Sequence, residues 1–245
     1  MASAQVCRVR PYTPKFEARI QRDGTGIAEA QRFRESVIER DTGQRPIEDR
    51  FDACGEHLVV RETESEEIVG ACRILAPRDA QRAGGYEADR HFDTALLIVL
   101  RERMVEIDGP CVHPHYRFEN VVAYLWTALA RYLIENRHDY LLGTAGVSLR
   151  DGGHVAASTY RLACARFLSP DDYRVFPHRR LSLDALSDTR PVVLTPLLKS
   201  FVELGAWVCG EPAFAPRVAQ ARFPILLPLA RMQGRHARHF LSHAV

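Results

Sequence analysis

Between Met104 and Leu149 the hydrophobic periodicity changes twice, and that change restricts the chain to few architectures. MVEIDGPCV is a mostly apolar run with Glu106 and Asp108 set into it, and HPHYR breaks it. From Asn120 onward Val122, Leu125, Trp126, Leu129 and Leu133 recur at the three-and-four spacing of one buried helix face, while Arg131, Glu135 and Arg137 fall elsewhere. A second apolar run, YLLGTAGVSL, follows from Tyr140. The pattern predicts strand, turn, helix, strand. Such a unit brings acidic side chains to a strand end and backbone N–H groups to a helix start.

The flanking sequence supplies more of the same sheet. Ile27, Ala30, Phe33, Arg34, Val37 and Ile38 approximate a helical stripe. Phe51 to Glu62 and Glu66 to Ala76 read as adjacent strands around an acidic connection. Pro77 to Arg90 reads as a loop, and HFDTALLIVL as a short helix or strand. DGGH marks a turn before a helix over Val155–Phe167, and Ser169 to Arg190 looks irregular. Pro196 near the start and Gly205 near the stop frame a helix in LTPLLKSFVELGA. WVCGE and ARFPILLPL predict two more strands, and RMQGRHARHFLSH a closing basic helix. The fold class is therefore α/β, a mixed central sheet flanked by helices. Residues 1–50 are expected as a helical or irregular extension and 51–245 as the principal domain.

Composition excludes several function classes. A net charge of +2 argues against a dedicated nucleic-acid binder. The apolar runs TALLIVL and FPILLPLA fall short of the ~18 residues of a spanning helix. MASAQVCRVR lacks the apolar core of a signal peptide, so a cytoplasmic location is expected. The six cysteines form no CxxC pair and mostly lie within apolar runs, as buried small hydrophobes do. Cys111, His113 and His115 alternate, and Cys54 precedes His57 by three, but neither has structural-zinc spacing, so no metal site is expected. A Cys111 nucleophile with His113 as base can be drawn, although burial as packing is the commoner role of such a cysteine. His236, His239 and His243 share one helical face that could meet metal or anionic lipid, or simply water.

FDACGEHLVV, VGACRILAP, GGYEADRHFD, VEIDGPCVHPHYR, the Leu125–Trp126 pair, LTPLLKSFVELGA and FPILLPLARM before HARHFL together resemble the ornithine lipid N-acyltransferases. These are often labelled hemolysin-like and fall in the GNAT-like group that includes the acyl-homoserine-lactone synthases. The resemblance runs from Phe51 to Phe240 in one motif order. It implies a GNAT-like acyltransferase fold with a splayed sheet. It also implies transfer of a 3-hydroxyacyl chain from acyl carrier protein to the α-amine of ornithine, the first step of ornithine lipid synthesis. No tightly bound cofactor is implied, because the donor is the carrier's phosphopantetheine thioester.

Site residues follow from the resemblance. An amine attacking a thioester must lose a proton, and Glu106 matches the family's central-strand acid, making it the expected general base. The competing reading is a carboxylate facing solvent at a sheet edge. Asp52 and Arg73 match positions shared with the acyl-homoserine-lactone synthases, either holding substrate or bracing two strands. Cys111 and Val112 are expected to offer a backbone N–H to the oxyanion, and Arg117 to lie beside the donor. A coenzyme A site wants small residues at the helix start, whereas Arg117, Phe118, Glu119, Asn120, Val121 and Val122 fill that stretch. Exposed arginines, with Arg32, Arg34, Arg231, Arg235 and Arg238 as candidates, would suit an acidic carrier protein. A lipid product also implies peripheral contact with the inner membrane, for which the basic C-terminal helix is the candidate.

Departures from the family pattern keep alternatives open. The family arginine two residues before Cys111 is replaced by Gly109, and acidic positions near the last strand are Ala215 and Arg222 here. Another amino acid acceptor, or a non-catalytic member that binds acyl groups or carrier protein, fits these losses. A coenzyme A dependent acetyltransferase is the third reading.

Overall fold

The structure, a computed structural model, describes residues 14–43, 50–183, 186, 192 and 194–232. In chain order its elements are β1 (Phe16–Gln21), α1 (Gly24–Thr42), α2 (Arg50–Cys54), β2 (Glu56–Glu62), β3 (Ile68–Leu75), α3 (Pro77–Ala83), β4 (Phe92–Asp93) and β5 (Met104–Val112). There follow α4 (Val121–Glu135), β6 (Tyr140–Ser148), α5 (His154–Arg166), β7 (Phe176–Pro177), α6 (Pro196–Leu204), β8 (Trp207–Val208), β9 (Ala213–Ala215) and β10 (Gln220–Pro228).

A parallel pair of strands needs a crossover, and the expected strand-helix-strand unit provides it. β5 and β6 run parallel, joined by α4, while every other pairing in the main sheet is antiparallel. The sheet order is β1-β2-β3-β5-β6-β10-β8, with β9 on β10, so β5 and β6 are central. α4 buries Val121, Leu125, Trp126, Leu129 and Leu133, one residue off the predicted stripe at its start, since Val122 is exposed. Gly70 on β3 makes room for Val121, whose Cγ1 would lie 2.7 Å from any Cβ at that position.

Alternation along β5 sends Val105 and Ile107 into the core under α4, and Met104, Glu106 and Asp108 to the opposite face. That second face is covered by α1, α2, α3 and the 3₁₀ turns of residues 87–90 and 95–103. β1 and α1 come from the stretch expected as an N-terminal extension, yet β1 pairs with β2 along its length and α1 packs on β2, β3 and β5.

Three local expectations need correction. Phe51–Cys54 is helical rather than extended, because Phe51 turns down into the core where it is fully buried. Pro77–Ala83 is a helix, begun by Pro77 and closed by Gly84 at φ 77°, where a loop was expected. β9 was not anticipated at all. The basic helix over Arg231–His243, with His236, His239 and His243, lies outside the described residues apart from Arg231 and Met232. Among the described residues no helix is long and apolar enough to cross a membrane.

Candidate active site

On the face away from α4 a row of polar side chains crosses five neighbouring strands. It runs His57 on β2, Arg73 on β3, Glu106 and Asp108 on β5, Thr144 on β6 and Arg222 on β10. Inward-facing strand positions normally carry apolar residues, so this row marks a site rather than a core. Its centre is the seam where β5 and β6 part. Their parallel register ends at Ile107 opposite Gly143, and the two strands run on separately as residues 108–112 and 144–148.

Glu106 is only 2% exposed, on a strand with neighbours on both sides, which removes the solvent-facing, sheet-edge alternative. Both carboxylate oxygens accept backbone N–H bonds, from Glu87 at 2.6 Å and Ala88 at 2.8 Å, at the start of the 3₁₀ turn of residues 87–90. Burial pushes its pKa well above the ordinary glutamate value and the neighbouring Glu87 carboxylate adds to that, against the two N–H bonds. The group is therefore a carboxyl held in place yet unusually basic.

Asp108, two residues on and facing the same way, sits among guanidiniums. Arg73 Nη2 is 3.2 Å and Arg34 Nη2 3.5 Å from its Oδ2, and Arg222 Nη1 is 3.9 Å from Oδ1. Asp52 completes a ring, bonded through Oδ1 to Arg34 Nη1 at 2.8 Å and Arg73 Nη1 at 2.9 Å. Burial would raise both aspartates. For Asp108 the charges of Arg73, Arg222 and Arg34 outweigh it, and for Asp52 those of Arg34 and Arg73, so each stays below its ordinary value. His57 Nε2 lies 3.4 Å from the Asp52 carbonyl oxygen. Burial and then Arg34 lower its pKa to about 4, so the ring is neutral near pH 7.

Two features of β5 shape this cluster. Ala71 opposes Cys111 and Arg73 opposes Asp108, so β5 spends one more residue than β3 over the interval: a bulge at Gly109–Pro110. Gly109 has φ 56°, and a Cβ there would run into the Arg34 guanidinium. Gly109 stands where the family resemblance implies an arginine, and the Arg34 guanidinium from α1 occupies the space that a side chain there would enter. This also corrects the expectation of Arg34 as an exposed docking arginine, for it is 7% exposed and fully engaged with Asp52, Asp108 and the Gly109 carbonyl.

The remaining expected residues divide. Asp52, Arg73 and Glu106 come together as described. Cys111 packs beside Ala30, Val59, Ile68 and Ala71, and burial raises its thiol to about 12, which suits packing and not a thiolate nucleophile. His113 N–H donates to the Val69 carbonyl at 2.8 Å. Strand alternation then aims the Val112 N–H the other way, toward the seam, and Pro110 has none to offer. Arg117 stands apart, its Nη2 2.6 Å from Asp41 Oδ1 on α1. Sequence reasoning missed Arg34 in its role here, Glu87, Thr144 and the placement of Arg222. Arg34 had a signal, a charge within an apolar stripe, and Asp108 another, its two-residue spacing from Glu106. A separate groove of about 740 Å³ between β1 and α4, lined by Phe16, Ile20 and Tyr124 among others, contains none of the row. Among the described residues no His, Cys, Asp and Glu group is arranged to hold a metal.

Comparison with known proteins bears on the fold. Residues 30–127 match the family described as acetyltransferase (GNAT) domain. Along 94% of its length the chain is 28% identical to an L-ornithine N(alpha)-acyltransferase of Rhodobacter capsulatus, of which 96% is covered. It is 26% identical, also along 94%, to the protein of the same name from Brucella abortus, covering 90% of it. Among solved structures, FeeM, an N-acyl amino acid synthase from uncultured soil microbes, superposes with a TM-score of 0.51 at 14% identity, covering 89% of this chain and 93% of that one. The acyl-homoserine-lactone synthase LasI does so at 0.50 and 12%, covering 93% and 95%. The mixed α/β fold is accordingly GNAT-like, as the sequence resemblance implied.

Proposed function

We propose that this chain, a homologue of the L-ornithine N(alpha)-acyltransferases with a GNAT-type domain, transfers an acyl group from a carrier-protein thioester to the α-amine of ornithine. The single observation that carries the reading is Glu106: a buried carboxyl of raised basicity, fixed by two backbone N–H bonds, at the mouth of a parted strand pair. Acyl transfer to an amine needs a base that is rigid and basic enough to take an ammonium proton. Proximity supplies much of the remainder.

The steps balance without a covalent enzyme intermediate. Glu106 accepts a proton from the α-ammonium, directly or through one water, and the freed nitrogen attacks the thioester carbonyl carbon. A C–N bond forms, the carbonyl oxygen takes up negative charge beside the Val112 N–H, and the C–S bond then breaks. The nitrogen gives up its second proton to the departing thiolate, which leaves as thiol; Glu106 returns its proton to water, and the product is an amide. The seam between residues 108–112 and 144–148 accommodates the thioester arm.

The donor is a carrier protein rather than coenzyme A. The start of α4 carries Glu119 engaged with Lys15 at 2.6 Å and lacks a small-residue cradle for a pyrophosphate, while Arg117 is committed to Asp41. A 3-hydroxyacyl carrier protein mixed with the purified chain and a panel of amino acids is the test, read by mass spectrometry. N-acylornithine is expected. Amide formation from acetyl coenzyme A, with none from the carrier, would overturn the reading.

A further inference from the structure

Arg222 stands out within the row because its donors are not all spent. It starts on β10 and reaches Asp108 on β5, across β6. With strands roughly 4.8 Å apart, that span takes most of an arginine's length. Gly146, opposite Arg222 in the β6–β10 ladder, offers no side chain to obstruct it. Its Nη1 donates to Thr144 Oγ1 at 3.2 Å and stops 3.9 Å short of Asp108 Oδ1, too far for a hydrogen bond. Among the described residues its buried Nε has no acceptor. A buried guanidinium N–H without a partner is destabilising, and native structures rarely keep one without a use.

The ring itself holds Arg222 loosely. Arg34 and Arg73 each hydrogen-bond both Asp52 and Asp108, whereas Arg222 hydrogen-bonds neither aspartate. An anionic group entering the seam beside Arg222 would take up its idle N–H.

We propose that Arg222 and Asp108 together receive the zwitterionic head of the acceptor amino acid, Arg222 binding its α-carboxylate and Asp108 drawing in its α-ammonium beside Glu106. This rests on the acyltransferase reading and adds to it the group by which the acceptor is recognised. A planar guanidinium fork matches a carboxylate with two parallel bonds, which a lysine could not reproduce. Asp108 is kept ionised by its guanidinium neighbours and attracts the cation, while the more basic Glu106 takes its proton. Arg222 is on this account a specificity residue that touches substrate.

Ornithine and ornithine amide, identical but for the carboxylate, discriminate the idea. Binding of each to the purified protein is measured by calorimetry, and kcat and KM for each by amide formation. The expected result is a preference for ornithine of roughly 10- to 100-fold in both measurements, the range of a charge-assisted pair. Arg222→Leu should abolish that preference by raising KM for ornithine while leaving kcat and the donor KM nearly unchanged, and Arg222→Lys should restore part of it. Equal treatment of the two ligands by the wild-type protein, binding of neither, or equal weakening of both by Arg222→Leu would overturn the proposal. The two readings fail separately. Carboxylate-dependent binding without amide formation leaves the receptor standing and removes the transferase; amide formation without preference does the reverse.

Discussion

Glu106 and Asp108 are two carboxylates on one strand, facing the same way, yet their surroundings are opposites. Glu106 lies in a cradle of backbone N–H groups with another carboxylate, Glu87, as its charged neighbour. Asp108 lies against Arg73, Arg34 and Arg222. Backbone dipoles fix a carboxyl without fully cancelling the cost of burying its charge, so Glu106 keeps a high affinity for a proton. Guanidiniums cancel that cost and more, so Asp108 stays ionised. Adjacent positions of one face thus hold one carboxyl of raised and one of lowered pKa.

The comparison breaks most sharply at Glu106 itself. Glu106→Gln keeps one of the two backbone N–H bonds, through its amide oxygen, and removes the base, and the rate of N-acylation should fall by roughly 10²- to 10⁴-fold with little change in acceptor KM. Steady-state kinetics and circular dichroism on the same preparation check this. In the guanidinium ring the expected damage is to stability. Arg73 is 2% exposed and serves both aspartates, so Arg73→Ala leaves two partly buried carboxylates short of a partner. A loss of roughly 3–5 kcal/mol in a urea titration is expected. The smallest effect sharpens the contrast from outside the site. Arg117 and Asp41 form an ion pair with both side chains more than two-fifths exposed, and Arg117→Ala should cost less than about 1 kcal/mol and leave acyl transfer from carrier protein unchanged. A large rise in donor KM in that variant would return Arg117 to the donor site.

Much of the sheet was legible in the sequence because periodicity reports which face is buried. The β5-α4-β6 unit, the paired β2 and β3, and α5 and α6 all follow from it. Phe51–Cys54 and Pro77–Ala83 escaped because each is too short to display a helical period, and long-range packing of Phe51 decides the first. Of the site, Glu106, Asp52 and Arg73 were legible through the family resemblance, while Arg34 and Asp108 carried only a local signal, a charge within an apolar pattern, that did not disclose their role. Nothing local tells that Arg34, 75 residues from Gly109, fills the space beside it. The Glu87 and Ala88 N–H groups were equally hidden, since a backbone donor has no residue type to betray it. Arg222 was visible as a departure from a family pattern, but its meaning depends on Asp108 lying two strands away.

The central claim is that Glu106 accepts the proton, and the pH dependence of kcat/KM for ornithine acylation tests it most directly when measured in the wild-type protein and in Glu87→Gln. The negative charge of Glu87 raises the Glu106 pKa, so removing it lowers that pKa and leaves the base ready at more acidic pH. The account predicts an acid limb that moves to lower pH in the variant. An acid limb that stays in place, in a variant that remains folded and active, would contradict it.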